Sequence, residues 1–216
     1  MTAAVLAQQP DLGVHYSRFR LPPNLDDAVD LSVLGAAPAL LAEAEIDAAA
    51  FHGTSGSWTG IDGDRALCQE LKDVTGAPAT TASLAILEAC SALAVSRIAV
   101  VFPGPLGIAN MIQREYAGHG VNVIAVSVPA YTMSNPEISR LGHSDIQNLM
   151  LPAFEYDAEA VVCVGTNLRS GYLAADLERR FGVPVIDSAL ATLWQLLRVA
   201  GVGRPIQGWG KLLAAS

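Results

Sequence analysis

Phe51-His52-Gly53-Thr54-Ser55-Gly56-Ser57-Trp58 is the stretch that decides the fold. A short apolar run leads into it, and it opens into small and hydroxylic residues. A second stretch, Val162-Cys163-Val164-Gly165-Thr166-Asn167-Leu168-Arg169-Ser170, repeats the arrangement with the same Gly-Thr at the turn. A buried parallel strand ends in this way, in a polar loop at the carboxyl edge of an α/β sheet. The flanking sequence repeats as well. Leu71-Lys72-Asp73-Val74-Thr75-Gly76-Ala77-Pro78 matches Leu177-Glu178-Arg179-Arg180-Phe181-Gly182-Val183-Pro184. Each reads as a helix, a glycine turn, an X-Pro step, a short strand and a further helix. An internal repeat of this size predicts two similar lobes whose equivalent loops face a shared cleft. The predicted lobes are residues 1–95 with 189–216, and residues 96–188.

The 216 residues suffice for one large α/β domain or two small lobes. Hydrophobic residues make up 51% of the chain and the mean hydropathy is +0.36, from Ala and Val in short runs that suit helices packed on parallel sheets. No apolar run is long enough to span a bilayer, and the first residues lack the basic segment of a signal peptide, so the expectation is a cytoplasmic protein without a membrane partner. A net charge of −8 and a pI near 4.8 argue against a nucleic-acid partner. Three unpatterned cysteines, Cys68, Cys90 and Cys163, fit a reducing compartment and exclude a cysteine-rich zinc site. The oligomeric state is open, a homo-oligomer included.

Along the chain, residues 3–9 read as a helix and residues 14–21 as a strand, because Val14, Tyr16, Arg18 and Arg20 alternate with His15, Ser17, Phe19 and Leu21. Residues 25–45 show helical spacing interrupted by Pro38. Strands are expected at 46–52, 77–80, 97–102, 121–128, 159–164 and 184–186. Helices are expected at 64–75, with Leu67, Leu71 and Val74 on one stripe, and at 84–94, with Ile86, Leu87, Cys90 and Leu93 inward. Further helices are expected after Pro105, at 144–155 despite Pro152, at 172–181 and at 189–200. The loop 129–142 is long enough to cover a site. The tail, with Trp209, is expected to return to the first lobe.

The two Gly-Thr loops offer backbone N–H groups and short side-chain donors, and a helix N-terminus beyond each would add a positive bias. Such loops suit anions, and a facing pair suits a small carboxylate or dicarboxylate. The expected ligand-binding residues are Gly53, Thr54, Ser55, Gly165, Thr166 and Asn167. Neither dinucleotide nor P-loop spacing is present, so no nucleotide cofactor is expected, and no metal.

His15 to Pro22 (HYSRFRLP), Gly53 to Trp58 (GTSGSW) and Gly165 to Ser170 (GTNLRS), with the segments 80–93 and 97–102, resemble the aspartate/glutamate/hydantoin racemase superfamily in order and spacing. The branch is that of maleate cis-trans isomerases and arylmalonate decarboxylases. The resemblance covers nearly the whole chain. It implies two Rossmann-like lobes related by pseudo-twofold symmetry, a cofactor-independent site between them, and small carboxylate substrates. It also implies a cysteine immediately before each Thr, where this chain has Gly53 and Gly165, and a tyrosine where it has Gly104. The family opens with a strand and an Asn-bearing loop that this sequence does not contain; a truncated start and a lost strand both fit that.

Several residues are candidates for the missing chemistry. Cys163 stands two before Gly165 and so points to the same face, one pleat deeper; a buried core cysteine is the plainer reading. His52 is a candidate base, or packs under its loop. Tyr131, in the long loop, is a candidate oxyanion donor or a surface aromatic. Asp187 is a site carboxylate or, more simply, the cap of the next helix. Trp58 is a pocket wall or a packing residue, and Arg18 and Arg20 are extra positive charge or solvated side chains.

Overall fold

The computed structural model describes every residue except 8, 23, 25, 26, 28 and 216. In chain order the elements are α1 (Thr2–Leu6), α2 (Leu31–Leu34), α3 (Ala37–Ala42), β1 (Ala49–Phe51), α4 (Gly56–Thr59), α5 (Ile61–Thr75), β2 (Ala79–Thr81) and α6 (Ala82–Ala92). Then come β3 (Arg97–Val101), α7 (Leu106–Gly118), β4 (Asn122–Ser127), α8 (Asn135–Arg140), α9 (His143–Met150), a 3-10 turn (Leu151–Glu155), β5 (Ala160–Cys163), α10 (Gly171–Phe181), β6 (Val185–Asp187), α11 (Ser188–Val199) and α12 (Lys211–Ala214). All strand pairs are parallel. One sheet is β1-β2 and the other runs β4-β3-β5-β6.

The sequence repeat is a structural repeat. Ala49 faces Ala79 and Phe51 faces Thr81 in the first sheet, as Val161 faces Val185 and Cys163 faces Asp187 in the second. Helices α5 and α10 both end on a glycine in the left-handed region, Gly76 at φ 72° and Gly182 at φ 76°, whose N–H groups close on Lys72 O and Glu178 O at 2.8 Å. Only glycine takes that conformation without a Cβ penalty, so the two Gly turns aim the X-Pro steps and strands that follow.

The core explains why the sheets sit as they do. Ile98, Ala99, Val100 and Val101 of β3 and Ala160 to Val164 around β5 are fully buried. Helices α6 and α11 pack on each other between the sheets, placing Ile86, Cys90, Leu190 and Trp194 inside. Each such large apolar side chain contributes about 1.5–3 kcal/mol when removed from water. Helix α7 of the second lobe reaches the first. Glu115 Oε1 accepts from Ile61 N–H at 2.9 Å, satisfying the open start of α5, and Tyr116 OH lies 2.9 Å from Ser57 Oγ with both groups buried.

Four expectations change. Residues 14–21 are extended but unpaired, because alternation specifies an extended backbone and not a partner strand. The helical reading of 25–45 resolves, within the described residues, into α2 and α3 with Pro38 in the first turn of α3; its start at 25, 26 and 28 lies outside the described residues. Pro152 ends α9 and opens the 3-10 turn instead of kinking one long helix. Val74 is 38% exposed, so the α5 stripe is Ile61, Asp64, Leu67 and Leu71. In the tail, Trp209 packs on Tyr172 of α10 at 5.4 Å and Lys211 N–H donates to Glu178 Oε2 at 2.7 Å, while α12 packs on α11 and Trp194 Nε1 donates to Ala215 O at 3.3 Å, so the tail bridges α10 and α11. We propose residues 1–95 with 189–216, and residues 96–188, as the two lobes.

Candidate active site

The two Gly-Thr loops meet. Thr166 Oγ1 donates to His52 O at 3.3 Å, which brings the end of β5 against the end of β1. The end of β3 joins them: Pro103 lies beside Gly165, and the Phe102 ring sits 5.7 Å from Trp58. Thr54 is buried, Ser55, Thr166 and Asn167 are half-buried, and Trp58 is a partly buried wall. The Thr54 and Ser55 hydroxyls have no side-chain hydrogen bond to the described residues and remain available for a ligand.

Both loops are held from beneath by the same device with its ends exchanged. In the first lobe the carboxyl is on the helix, Asp64 of α5, and accepts from the Thr81 hydroxyl at the end of β2. In the second the carboxyl is at the strand end, Asp187, and accepts from Ser170 Oγ at 2.5 Å. Asp64 and Ser170 each stand twelve residues before the helix-ending glycine, and Thr81 and Asp187 each five after it. Burial pushes both carboxyls above the usual range, opposed by these hydroxyls and, for Asp187, by backbone N–H groups. Asp187 also accepts from Gly171, Ala189 and Leu190 N–H at 2.9 Å, so it is the cap of α11. A serine ties each loop backbone as well: Ser57 N–H donates to Ser83 Oγ at 3.1 Å, and Gly165 N–H to Ser188 Oγ at 3.3 Å.

The second loop is tied to α8. Asn167 Nδ2 donates to Asn135 Oδ1 at 3.0 Å, and Arg169, in the left-handed region at φ 57°, donates to Leu141 O at 2.6 Å. These contacts grip both ends of α8, in the segment expected to cover a site. Tyr131 does not join the donor loops. It is 67% exposed and lines a separate open cavity of about 470 Å³ with Met133 and Leu149. Arg18 and Arg20 are exposed and make no ion pair among the described residues.

His52 is exposed, and it lines a cavity beside residues 48–50 walled by Thr192 and Leu193. Desolvation by neighbouring chain, then the N-terminal ammonium, lowers its pKa; its openness to solvent limits that shift. Cys163 is fully buried, and burial pushes its thiol up to about 12, so it is a core residue in the protonated form. Iodoacetamide at pH 8 is therefore expected to leave Cys163 unmodified in the folded protein, read by peptide mass spectrometry. Rapid native-state labelling there would show a reachable thiolate.

Two strand ends share a pattern that sequence reasoning missed, and a third is crowded from a neighbouring strand end. A Cβ built on Gly53 would lie 2.3 Å from Phe51 Cζ, and one on Gly104 would lie 2.5 Å from Phe102 Cε1. A Cβ on Gly165 would meet Pro103 Cγ at 3.2 Å, at φ +134°. Phe51 and Phe102 each stand two residues before their glycine, on the same face of an extended chain, and the ring leans over it. The signal was a Phe-x-Gly at the end of both β1 and β3.

Residues 22–213 match the arylmalonate decarboxylase family. The chain belongs to that family. The arylmalonate decarboxylase of Bordetella bronchiseptica is 28% identical over 169 residues, 76% of this chain and 70% of that protein. A crystal structure of arylmalonate decarboxylase superposes with a TM-score of 0.75 at 26% identity, covering 82% of this chain and 79% of that one. A cysteine-to-serine mutant of Nocardia farcinica maleate cis-trans isomerase, with a covalently bound succinylcysteine intermediate, superposes at 0.84 over 98% of this chain and 90% of its own. At 20% identity that likeness concerns the fold alone. No helix among the described residues is long and apolar enough to cross a membrane.

Proposed function

We propose that the cleft binds a small carboxylate or dicarboxylate and acts on it without a cofactor, as an enzyme of the arylmalonate decarboxylase or maleate isomerase type that lacks the usual cysteine nucleophiles. The observation that carries this reading is the meeting of two donor loops, Gly53-Thr54-Ser55 and Gly165-Thr166-Asn167, through Thr166 Oγ1 and His52 O in a chain of this family. In a decarboxylation, the C–C bond to the leaving carboxylate breaks as CO₂ departs. The electron pair moves onto the oxygens of the remaining carboxylate, giving an enolate-like species. The Thr54 and Ser55 hydroxyls, which have no side-chain partner among the described residues, would donate to those oxygens and stabilise it more than the ground state. The carbon then takes a proton from water, since no thiol stands at 53 or 165. The isomerase route is disfavoured on the same ground, because it needs a thiolate that adds to the double bond.

A second reading has its own observation. Phe51, Phe102 and Pro103 fill the space over Gly53, Gly104 and Gly165, the positions that the resemblance pairs with two cysteines and a tyrosine. A non-catalytic carboxylate-binding protein would tolerate that filling. Calorimetry and proton NMR with arylmalonates, malonate and maleate separate the two: release of CO₂ or a new vinyl signal supports the enzyme, and saturable binding without product supports the binder. Under either reading Thr54→Ala is expected to weaken the ligand by about 1–3 kcal/mol. Asn167→Ala is expected to do at least as much, because it also releases Asn135 of α8. Unchanged affinity in both variants would place the ligand elsewhere.

A further inference from the structure

The helix that follows the first donor loop is held by the other lobe. Thr54 and Ser55 run directly into α4, a single turn that ends on Gly60 at φ 125°. One turn is too short to be stable by itself. Its own lobe gives it the Ser57 N–H bond to Ser83 Oγ at 3.1 Å. The second lobe gives it and its end three contacts. Tyr116 OH stands 2.9 Å from Ser57 Oγ, the Phe102 ring 5.7 Å from Trp58, and Glu115 Oε1 2.9 Å from the N–H nitrogen of Ile61, just past the turn.

The Glu115 contact has no local substitute. Ile61 opens α5, so its N–H has no acceptor within that helix, and Gly60 in the capping position has no side chain. Glu115 does across the lobes what an Asp or Ser cap does locally. The same oxygen lies 3.2 Å from His119 Nε2, one turn further along α7, which steadies the carboxyl. Ser57 and Tyr116 are both fully buried, so removing either hydroxyl leaves the other unpaired. Strand β3 and helix α7 therefore touch both donor loops. Pro103 lies beside Gly165 at one end, and Glu115 and Tyr116 hold α4 and the start of α5 at the other.

We propose that Glu115 and Tyr116 are positioning residues. They set the Thr54 and Ser55 donors at a fixed distance from Thr166 and Asn167, and so fit the cleft to a ligand with two carboxylates. This role rests on the reading of the paired loops as a carboxylate site. A dicarboxylate held by both loops depends on the distance between them, whereas a ligand held by one loop does not.

Amide exchange of the ligand-free protein reads the loop, and calorimetry with maleate and its monomethyl ester reads the distance. Glu115→Ala is expected to speed exchange at Ile61 and across residues 55–60 by about tenfold, with residues 165–170 unchanged. Glu115→Gln keeps an acceptor oxygen and is expected to stay within about twofold of wild type. Glu115→Ala is expected to weaken maleate by about tenfold and the ester by less than about threefold. Tyr116→Phe, which removes only the hydroxyl, is expected to speed exchange at Ser57 and Trp58, and it supplies the same comparison should Glu115→Ala not fold. Unchanged exchange at Ile61, equally faster exchange in both loops, or an equal loss of the two ligands would reduce these residues to ordinary packing and overturn the proposal. Where the wild type binds neither compound, the carboxylate reading falls by itself, and the exchange pattern still decides for or against the positioning role.

Discussion

Asp187→Ala is expected to destabilise the protein by about 3–5 kcal/mol, lowering the unfolding temperature by roughly 10 °C. Four donors converge on this buried carboxyl: Ser170 Oγ and the N–H groups of Gly171, Ala189 and Leu190. Truncation leaves them without an acceptor in a site closed to solvent, and each orphaned buried group costs about 1–3 kcal/mol before relaxation. The full sum is not reached, because a water enters the space of the lost carboxyl. Asp187→Asn keeps the volume and one acceptor, and is expected to lose about half as much. Denaturant unfolding of the two variants measures the difference. The second expected effect is at the cleft: with Ser170 released, the loop that carries Thr166 and Asn167 loses its lower anchor, so carboxylate affinity falls in the Asn variant even where the protein is folded. Unfolding midpoints within about 1 °C of wild type would reduce Asp187 to an ordinary cap.

Much of this architecture was legible because its signals are local. Gly76 and Gly182, each two residues before a proline, fix a helix end and a strand start by backbone conformation alone, and the structure places both in the left-handed region. The paired Gly-Thr loops were legible for the same reason: strand termini at a parallel sheet edge have a composition of their own. Residues 14–21 show the limit. Alternation is a property of one extended chain, whereas a strand needs a neighbour, and the neighbouring place is a groove. The inter-lobe bonds from Glu115 and Tyr116 of α7 were invisible, since nothing in an amphipathic helix says which distant helix start it will cap. The exchange of carboxyl and hydroxyl between Asp64–Thr81 and Ser170–Asp187 was hidden in plain spacing. It needed the two helix ends to be superposed before the four residues lined up. The space over Gly53 was not legible either, because it is decided by Phe51, a residue read only as the end of a strand.

Restoring cysteine at Gly53 and Gly165 is expected to destabilise the protein by about 3–5 kcal/mol and to give no thiol chemistry. The two positions fail for different reasons. At 53 the new Cβ would stand 2.3 Å from Phe51 Cζ. The ring cannot swing out freely, because it is 5% exposed and packed among Phe19, Leu34, Leu67 and Leu71. Overpacking of this kind costs about 1–3 kcal/mol. At 165 the obstacle is the backbone, since φ +134° is a region that side-chain-bearing residues rarely adopt, at about 1–3 kcal/mol, and Pro103 crowds the same point. A double-mutant cycle distinguishes the causes. Phe51→Ala alone opens a cavity and is destabilising, but in that background Gly53→Cys is expected to be nearly neutral, giving a coupling of about 1–3 kcal/mol. Gly165→Cys should show no such coupling to Phe51. Only the Phe51→Ala, Gly53→Cys protein is expected to expose a thiol at the cleft, seen as one additional fast-reacting group towards a disulfide reagent at pH 8. If Gly53→Cys with Gly165→Cys instead unfolded like wild type and isomerised maleate, Phe51 would be a movable cover, and the chain would have lost its thiols without losing the site built around them.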